Sequence, residues 1–273
     1  MKVKFGNVVI YVVLFFIMLF FLFPYFWMIL SAFKTPVQTY AYPPVWIFTP
    51  TLKNFTSLLT DYNILFYLKN TLLVTIPTTL LALIIGLPAA YSFARFRFRF
   101  KEGLFASFLI LQLFPSVSAL IAFYFIAHSI GLYDTQLMLI LAYLVWNVPL
   151  VIWLMRGFVE EASPEVEESA MVDGYSRLGA FFRVTLPSIL PGLMVTSILV
   201  FITAWNEFTL AYFLTEVNAK TLPTMVGLFR TQTGTMWGMI FGLSFLSTLP
   251  VVILALAIRK HFVTGLTFGA IKK

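Results

Sequence analysis

Residues 160–174 read EEASPEVEESAMVDG, and residues 184–187 close the same stretch with VTLP. This is the one concentrated acidic region in a chain whose formal charge is +7. Ser163 stands where a helix N-cap belongs, Pro164 suits a first helical position, Glu165 and Glu167 favour the positive end of the helix dipole, and Gly174 can close the helix. A second helix is expected after it, with Leu178, Phe181, Phe182 and Thr185 at helical spacing, until Pro187 reopens the chain at the start of an apolar span. Helices this short are not stable alone in water, so both need a surface to dock against.

Outward from that loop the chain is a membrane protein by composition. Of its 273 residues, 60% are hydrophobic and only 11% charged, with a mean hydropathy of +0.94, well outside the soluble globular range. Six stretches, 8–30, 68–94, 104–127, 136–155, 186–213 and 236–258, approach or exceed the ~20 residues that cross about 30 Å of hydrocarbon. The expectation is an all-α integral membrane protein with six transmembrane helices, a single transmembrane domain over 1–273, and the acidic loop at 156–185. The stretch 8–30 is too long for a signal-peptide core and lacks a small-x-small cleavage site, so it reads as a retained helix. Pro24, Pro77, Pro88, Pro115, Pro149, Pro191 and Pro250 fall inside these stretches; in a bundle, neighbouring helices and hydroxyls can satisfy the carbonyls they free.

Lysine and arginine set the orientation. With six spans, Lys2, Lys4, Arg95, Arg97, Arg99, Lys101, Arg156, Arg177, Arg183, Arg259, Lys260, Lys272 and Lys273 share one side, and Lys34, Lys53, Lys69, Lys220 and Arg230 the other. The basic excess marks the cytoplasmic side, which then holds both termini and the acidic loop. The alternating run Arg95-Phe96-Arg97-Phe98-Arg99-Phe100-Lys101 is accounted for by interfacial aromatics and cytoplasmic cations, with no need of nucleic acid. Segments near 33–67, 128–135 and 214–235 fall on the outer side, and the last is long enough to meet an external partner.

Catalytic patterns are missing. There is no cysteine, hence no thiol catalyst, disulfide or cysteine metal site. The two histidines, His128 and His261, stand at loop edges on opposite faces, outside any zinc-binding or hydrolase pattern. Residues 174–179 have paired glycines, but Ala180 and Phe181 stand where a phosphate loop requires Lys and Ser or Thr. The ladders Gly234-x-x-x-Gly238-x-x-x-Gly242 and Ala82-x-x-x-Gly86-x-x-x-Ala90 read as packing faces. Glu207, in Trp205-Asn206-Glu207-Phe208, is ionisable within a span and so is either a candidate for a polar path, with Trp205 and Asn206 beside it, or a residue near the outer end that simply reaches water.

Counted from Glu168, the spacing is Glu168-Ser169-Ala170, three residues, Gly174, nine residues, then Val184-Thr185-Leu186-Pro187. It resembles the EAA signature of ABC importer permeases, E-A-A-x3-G-x9-I-x-L-P, with Ser169 and Val184 as mild departures. Asp173, Trp205-Asn206-Glu207-Phe208 and the terminal Gly265-Leu266-Thr267-Phe268-Gly269-Ala270-Ile271-Lys272 are similar to the carbohydrate branch, in particular its maltose-type inner-membrane subunit. The resemblance implies a type I ABC importer permease fold, multi-pass in the cell membrane. It implies that the first short helix is a coupling helix seated in a separate ATPase, with Glu167, Glu168, Ser169, Ala170, Asp173, Gly174, Leu186 and Pro187 forming the attachment. Glu168 would pair with a basic residue there and Gly174 would allow the bend. The implied partners are a homologous second permease subunit in a heterodimer, two ATPase subunits that carry the ATP and Mg²⁺, an extracytoplasmic solute-binding protein, membrane lipid, and a di- or oligosaccharide. No catalytic residue, cofactor or metal is expected on this chain. The rival readings are a permease of the same class for glycerol phosphate or a polyol, and an ion-coupled secondary transporter, which would call for several intramembrane carboxylates where only Glu207 is a candidate.

Overall fold

A computed structural model describes residues 5–232 and 234–267. Lys2, Lys4 and the tail from Phe268 to Lys273 lie outside them. Among the described residues the secondary structure is helical except for one short antiparallel hairpin, β1 (Arg230–Thr231) with β2 (Gly234–Thr235). The chain packs as two units, one holding the residues up to Leu65 with Met225–Pro250, the other Phe66–Thr224 with the chain from Val251 onward.

The first unit holds α1 (Phe5–Ala32), α2 (Pro36–Tyr40), α3 (Lys53–Thr60) and the start of the last helix, α13 (Trp237–Thr267). Asn54 of α3 is buried and donates its amide to the carbonyls of Ala32 and Lys34, at 2.8 and 3.0 Å. It thereby satisfies backbone acceptors left over where α1 ends. Two glycines let α13 lie on α3: a Cβ at Gly238 would meet the Asn54 amide at 2.9 Å, and one at Gly242 would meet Leu58 at 3.3 Å. The third glycine of the expected ladder does not belong to it. Gly234 lies in β2 at φ +136°, a conformation closed to most side chains and to a helix, and α13 starts only at Trp237. Nearly all of α1 is exposed apolar surface, which hydrocarbon accepts and water does not.

The second unit contains most of α4 (Ile64–Arg95), then α5 (Lys101–Leu113), α6 (Leu120–Ser129) and α7 (Gln136–Glu161). The loop helices α8 (Pro164–Val172), α9 (Arg177–Ala180) and α10 (Leu186–Ser188) follow, and then α11 (Leu190–Trp205) and α12 (Thr209–Leu214). α7 is its spine. Met138, Leu139, Ala142, Tyr143, Val151, Ile152, Met155 and Val159 are all buried, packed among α4, α11 and α12. The Ala82, Gly86 and Ala90 face of α4 is the expected packing stripe: both alanines are fully buried, and a Cβ at Gly86 would stand 2.7 Å from Val151.

Among the described residues four helices, α1, α4, α7 and α13, are long and apolar enough to cross a membrane, or up to six if each bent pair is one span; at the expected spans 104–127 and 186–213 the chain forms such pairs, α5 with 116–129 bent by 97° and 177–188 with α11 bent by 77°. Proline explains both breaks, but not alone. Pro24, Pro77, Pro88, Pro149 and Pro250 stay inside unbroken helices. At Pro115 the preceding Phe114 is extended, as the ring demands, and its carbonyl accepts the Trp146 indole N–H at 3.1 Å. In the other pair, Pro187 and Pro191 each lack the N–H that would close an i→i−4 bond. Phe181–Thr185 widens into a π-helix, with the Leu186 amide bonding back to Phe181, and the bend falls at Ile189. Pro187 therefore does not reopen the chain as expected; it lies within α10, and the span proper begins with Leu190 and Pro191.

One polar anchor of this unit was not foreseen. Asp134, at φ +59°, accepts the consecutive backbone amides of Glu216, Val217, Asn218 and Ala219 at 2.9–3.1 Å. Burial pushes its carboxyl up, yet the four amides outweigh that and hold it below the ordinary aspartate range. Asn70 adds bonds to the carbonyls of Asn218 and Lys220, and Gln136 Nε2 donates to Asn70. The segment after α12 is thus tied to the start of α7 and the first turns of α4.

Candidate functional site

The acidic stretch folds into α8 as its residues dictate. Pro164 occupies the first turn with Glu165 and Glu167 beside it. Ser163 holds the cap position but does not cap: its hydroxyl donates to the Glu165 carboxylate instead. The carboxylate two residues on is the stronger acceptor, so it takes the hydroxyl that the backbone would have used. The other end closes through Gly174 at φ +95°, whose N–H bonds Met171 O while Tyr175 N–H bonds Ala170 O, both at 3.1 Å. That reciprocal pair is a Schellman closure, and only a residue at ease with positive φ fits its turn. Ser176 caps α9 by accepting the Gly179 N–H at 3.1 Å.

The two adjacent glutamates face opposite ways. Glu167 is 3% exposed and points into the protein. One of its oxygens accepts the Tyr91 hydroxyl; the other accepts Thr185 Oγ1 at 2.9 Å and Arg95 Nε at 3.1 Å. Arg95 also donates to Ala162 O at 2.7 Å. The cluster therefore joins the end of α4, the end of α7, α8 and the π-helical turn. Burial pushes the Glu167 carboxyl up, but the bonds from Tyr91, Thr185 and Arg95, with the guanidinium charge, hold it below the ordinary glutamate range. Phe181 packs on Tyr91, with ring centroids 4.9 Å apart, and seals the cluster.

The expectation that Glu167 meets an outside partner is thus corrected: its carboxylate is spent inside the chain. Glu168 is exposed, as are Ser169, Asp173, Gly174 and Pro187, while Ala170 is buried and Leu186 half-buried. Ser169 donates to Glu165 O at 2.8 Å. Val166 of α8, Leu178 of α9 and Phe182 of the π-helical turn are uncovered apolar groups, with Val172 at 87% exposure. The loop thus presents carboxylates and bare apolar side chains around a helix rooted by Glu167.

The other sequence candidates lie apart, where α11 breaks. Trp205 is buried and stacked on Phe201 at 5.4 Å, so in this conformation it packs and does not line an open path. Asn206 is exposed and Glu207 half-buried. Glu207 spends one oxygen on Leu210 N at 2.8 Å, capping α12. Nearby, Thr203 donates to Asn147, whose amide donates to Tyr143 O at 2.8 Å. Arg95, Tyr91 and Thr185 gather at Glu167, and Asn147 pairs with Thr203, in arrangements that local sequence does not reveal. Arg95 alone carried a signal, as the first cation after a span, but that was spent on topology.

Among the described residues no group of three or more His, Cys, Asp or Glu side chains is placed to hold a metal ion. A family model described as a binding-protein-dependent transport system inner membrane component matches residues 82–266. The diacetylchitobiose uptake system permease protein DasC of Streptomyces coelicolor is 37% identical over 252 residues, which is 92% of this chain and 91% of the relative. The trehalose/maltose transport system permease protein MalG of Thermococcus litoralis is 34% identical over 255 residues, again 92% and 91%. Among solved structures, a chain from a bacterial ABC transporter involved in the import of the acidic polysaccharide alginate matches with a TM-score of 0.73 at 21% identity, covering 96% of this chain and 99% of that one. At that identity the likeness is one of fold.

Proposed function

The chain belongs to the family of binding-protein-dependent transport system inner membrane components, multi-pass proteins of the cytoplasmic membrane, and from that premise we propose that it is the permease subunit of an ABC importer for a di- or oligosaccharide. Each bent pair counts as one span, which gives six spans, both termini in the cytoplasm and a single transmembrane domain. The chain contributes no ATPase site. Two separate ATPase subunits bind ATP and Mg²⁺, a homologous second permease completes a heterodimer, and an extracytoplasmic binding protein delivers the sugar to the outer side, where 214–235 meets it.

The observation that carries this reading is the division between the two glutamates. Glu167 welds α8 to α4 and the π-helical turn, and Glu168 stands exposed one residue on. When ATP draws the ATPase subunits together, a basic pocket that grips Glu168 would pull α8, and the weld would pass the movement to α4 and α11. The paired permeases would then turn outward, and hydrolysis would return them. The sugar reading is supported by two relatives, a diacetylchitobiose uptake permease and a trehalose/maltose transport permease. Asn206 and Glu207 are the proposed edge of the sugar path.

Glu168→Ala removes the proposed grip and leaves the weld intact, so the folded permease should stay in the membrane while transport-linked ATP hydrolysis in proteoliposomes falls at least about tenfold, the worth of one charge-assisted pair. Gly174→Ala should weaken coupling less, because strain at φ +95° costs about 1 kcal/mol. Unchanged coupling in both variants would count against the assignment.

A further inference from the structure

Between α8 and the α4–α5 link lies a cavity of about 350 Å³, lined by Arg95, Arg97, Lys101 and Arg177, with Glu167 and Glu168 as its carboxylates. Arg95 is committed to Glu167. Arg97, Lys101 and Arg177 have no ion-pair partner among the described residues, although Arg177 rests on the Phe96 ring at 5.0 Å. Cations that share one concavity repel one another unless an anion joins them, and even with both carboxylates ionised this cavity keeps an excess of positive charge. Its depth is set by the chain: the cavity opens where α4, a helix apolar enough to span, ends at Arg95. The rings of the link anchor it there, Phe96 on Tyr91 at 5.9 Å and Phe98 on Phe93 at 5.5 Å. Arginines alternating with interfacial rings put a basic pocket at the level of the inner-leaflet phosphates.

We propose that this cavity holds the phosphodiester headgroup of an anionic inner-leaflet phospholipid, bridging the α4–α5 link to the coupling helix. The proposal rests on the cytoplasmic placement of the loop argued above, but its test reads lipid and not transport. The assembled transporter, reconstituted in phosphatidylcholine vesicles containing phosphatidylglycerol and then extracted into detergent, is examined by native mass spectrometry for retained lipid. Wild type should keep phosphatidylglycerol in preference to phosphatidylcholine. Arg97→Gln with Lys101→Gln should lower that retention about thirtyfold, the effect of removing two basic residues from an anionic surface. The charge-preserving pair Arg97→Lys with Lys101→Arg should retain it, which separates lost charge from lost fold. Equal retention by the charge-removed variant would overturn the proposal. So would displacement of the lipid by millimolar inorganic phosphate, since the ligand would then be a soluble anion. Neither outcome touches the coupling role of Glu168, which the ATP hydrolysis measurement tests separately.

Discussion

Glu167→Ala is expected to destabilise the permease by about 3 kcal/mol and to uncouple it from ATP hydrolysis even though Glu168 is untouched. The side chains of Arg95 and Glu167 are only 11% and 4% exposed, so removal of the carboxylate strands a mostly buried guanidinium. It also leaves the Tyr91 and Thr185 hydroxyls without their acceptor. Arg95→Met combined with Glu167→Leu should cost less than the two single changes added together, because no buried charge is then left alone. Thermal unfolding of the detergent-solubilised transporter reads all four proteins, and strict additivity would show that the two residues do not interact. Acid makes a second reading of the same cluster. A carboxyl held below its ordinary value stabilises the fold above the unfolded pKa, near 4.3, and that stability is lost as pH falls through the folded value. Wild type should therefore lose stability in that acid window more steeply than Glu167→Ala.

The second large effect is steric. Gly192→Ala puts a methyl 2.4 Å from Cγ of Phe158 and 2.6 Å from both its Cδ atoms, where α11 crosses α7. A rigid ring within a packed interface cannot yield by that much without moving its helix, so a loss of about 3 kcal/mol is expected. Gly86→Ala meets Val151 at 2.7 Å and the Val148 carbonyl at 3.3 Å and should behave alike, whereas Gly103→Ala meets nothing within 4 Å and should be silent. Folded yield by fluorescence-detected size exclusion measures each. Phe158→Ala in the Gly192→Ala background should recover part of the loss; no recovery would mean that the ring is not the obstacle.

The residues of α8 and its glycine closure were legible in the sequence because they are local: charge at a helix start, proline in the first turn, and positive φ at Gly174 need no distant partner. Hydropathy likewise located the apolar stretches, since it is set by each segment alone. What stayed hidden depends on neighbours far along the chain. Nothing in residues 163–168 says that Glu167 turns inward, because its partners Tyr91 and Arg95 are 76 and 72 residues away. The same holds for proline. Pro115 breaks a span where Trp146, 32 residues on, satisfies the Phe114 carbonyl, while Pro149 sits in the middle of an unbroken, well-buried α7. Ser163 misled for a subtler reason: its hydroxyl had two acceptable uses within two residues, and sequence alone does not rank them. The grip of Asp134 on four amides depends on a loop 82 to 85 residues later.

The claim on which the account turns is that α8 faces the cytoplasm against the ATPase. The chain has no cysteine, and Val172, the most exposed apolar residue of α8, takes a thiol without disturbing the buried face. In membranes that carry the assembled transporter with Val172→Cys, a short thiol-reactive crosslinker should join this chain to the ATPase subunit, and the yield should change when ATP is added. Labelling of the same cysteine by a membrane-impermeant maleimide applied outside intact cells, with no crosslink to the ATPase, would contradict the account.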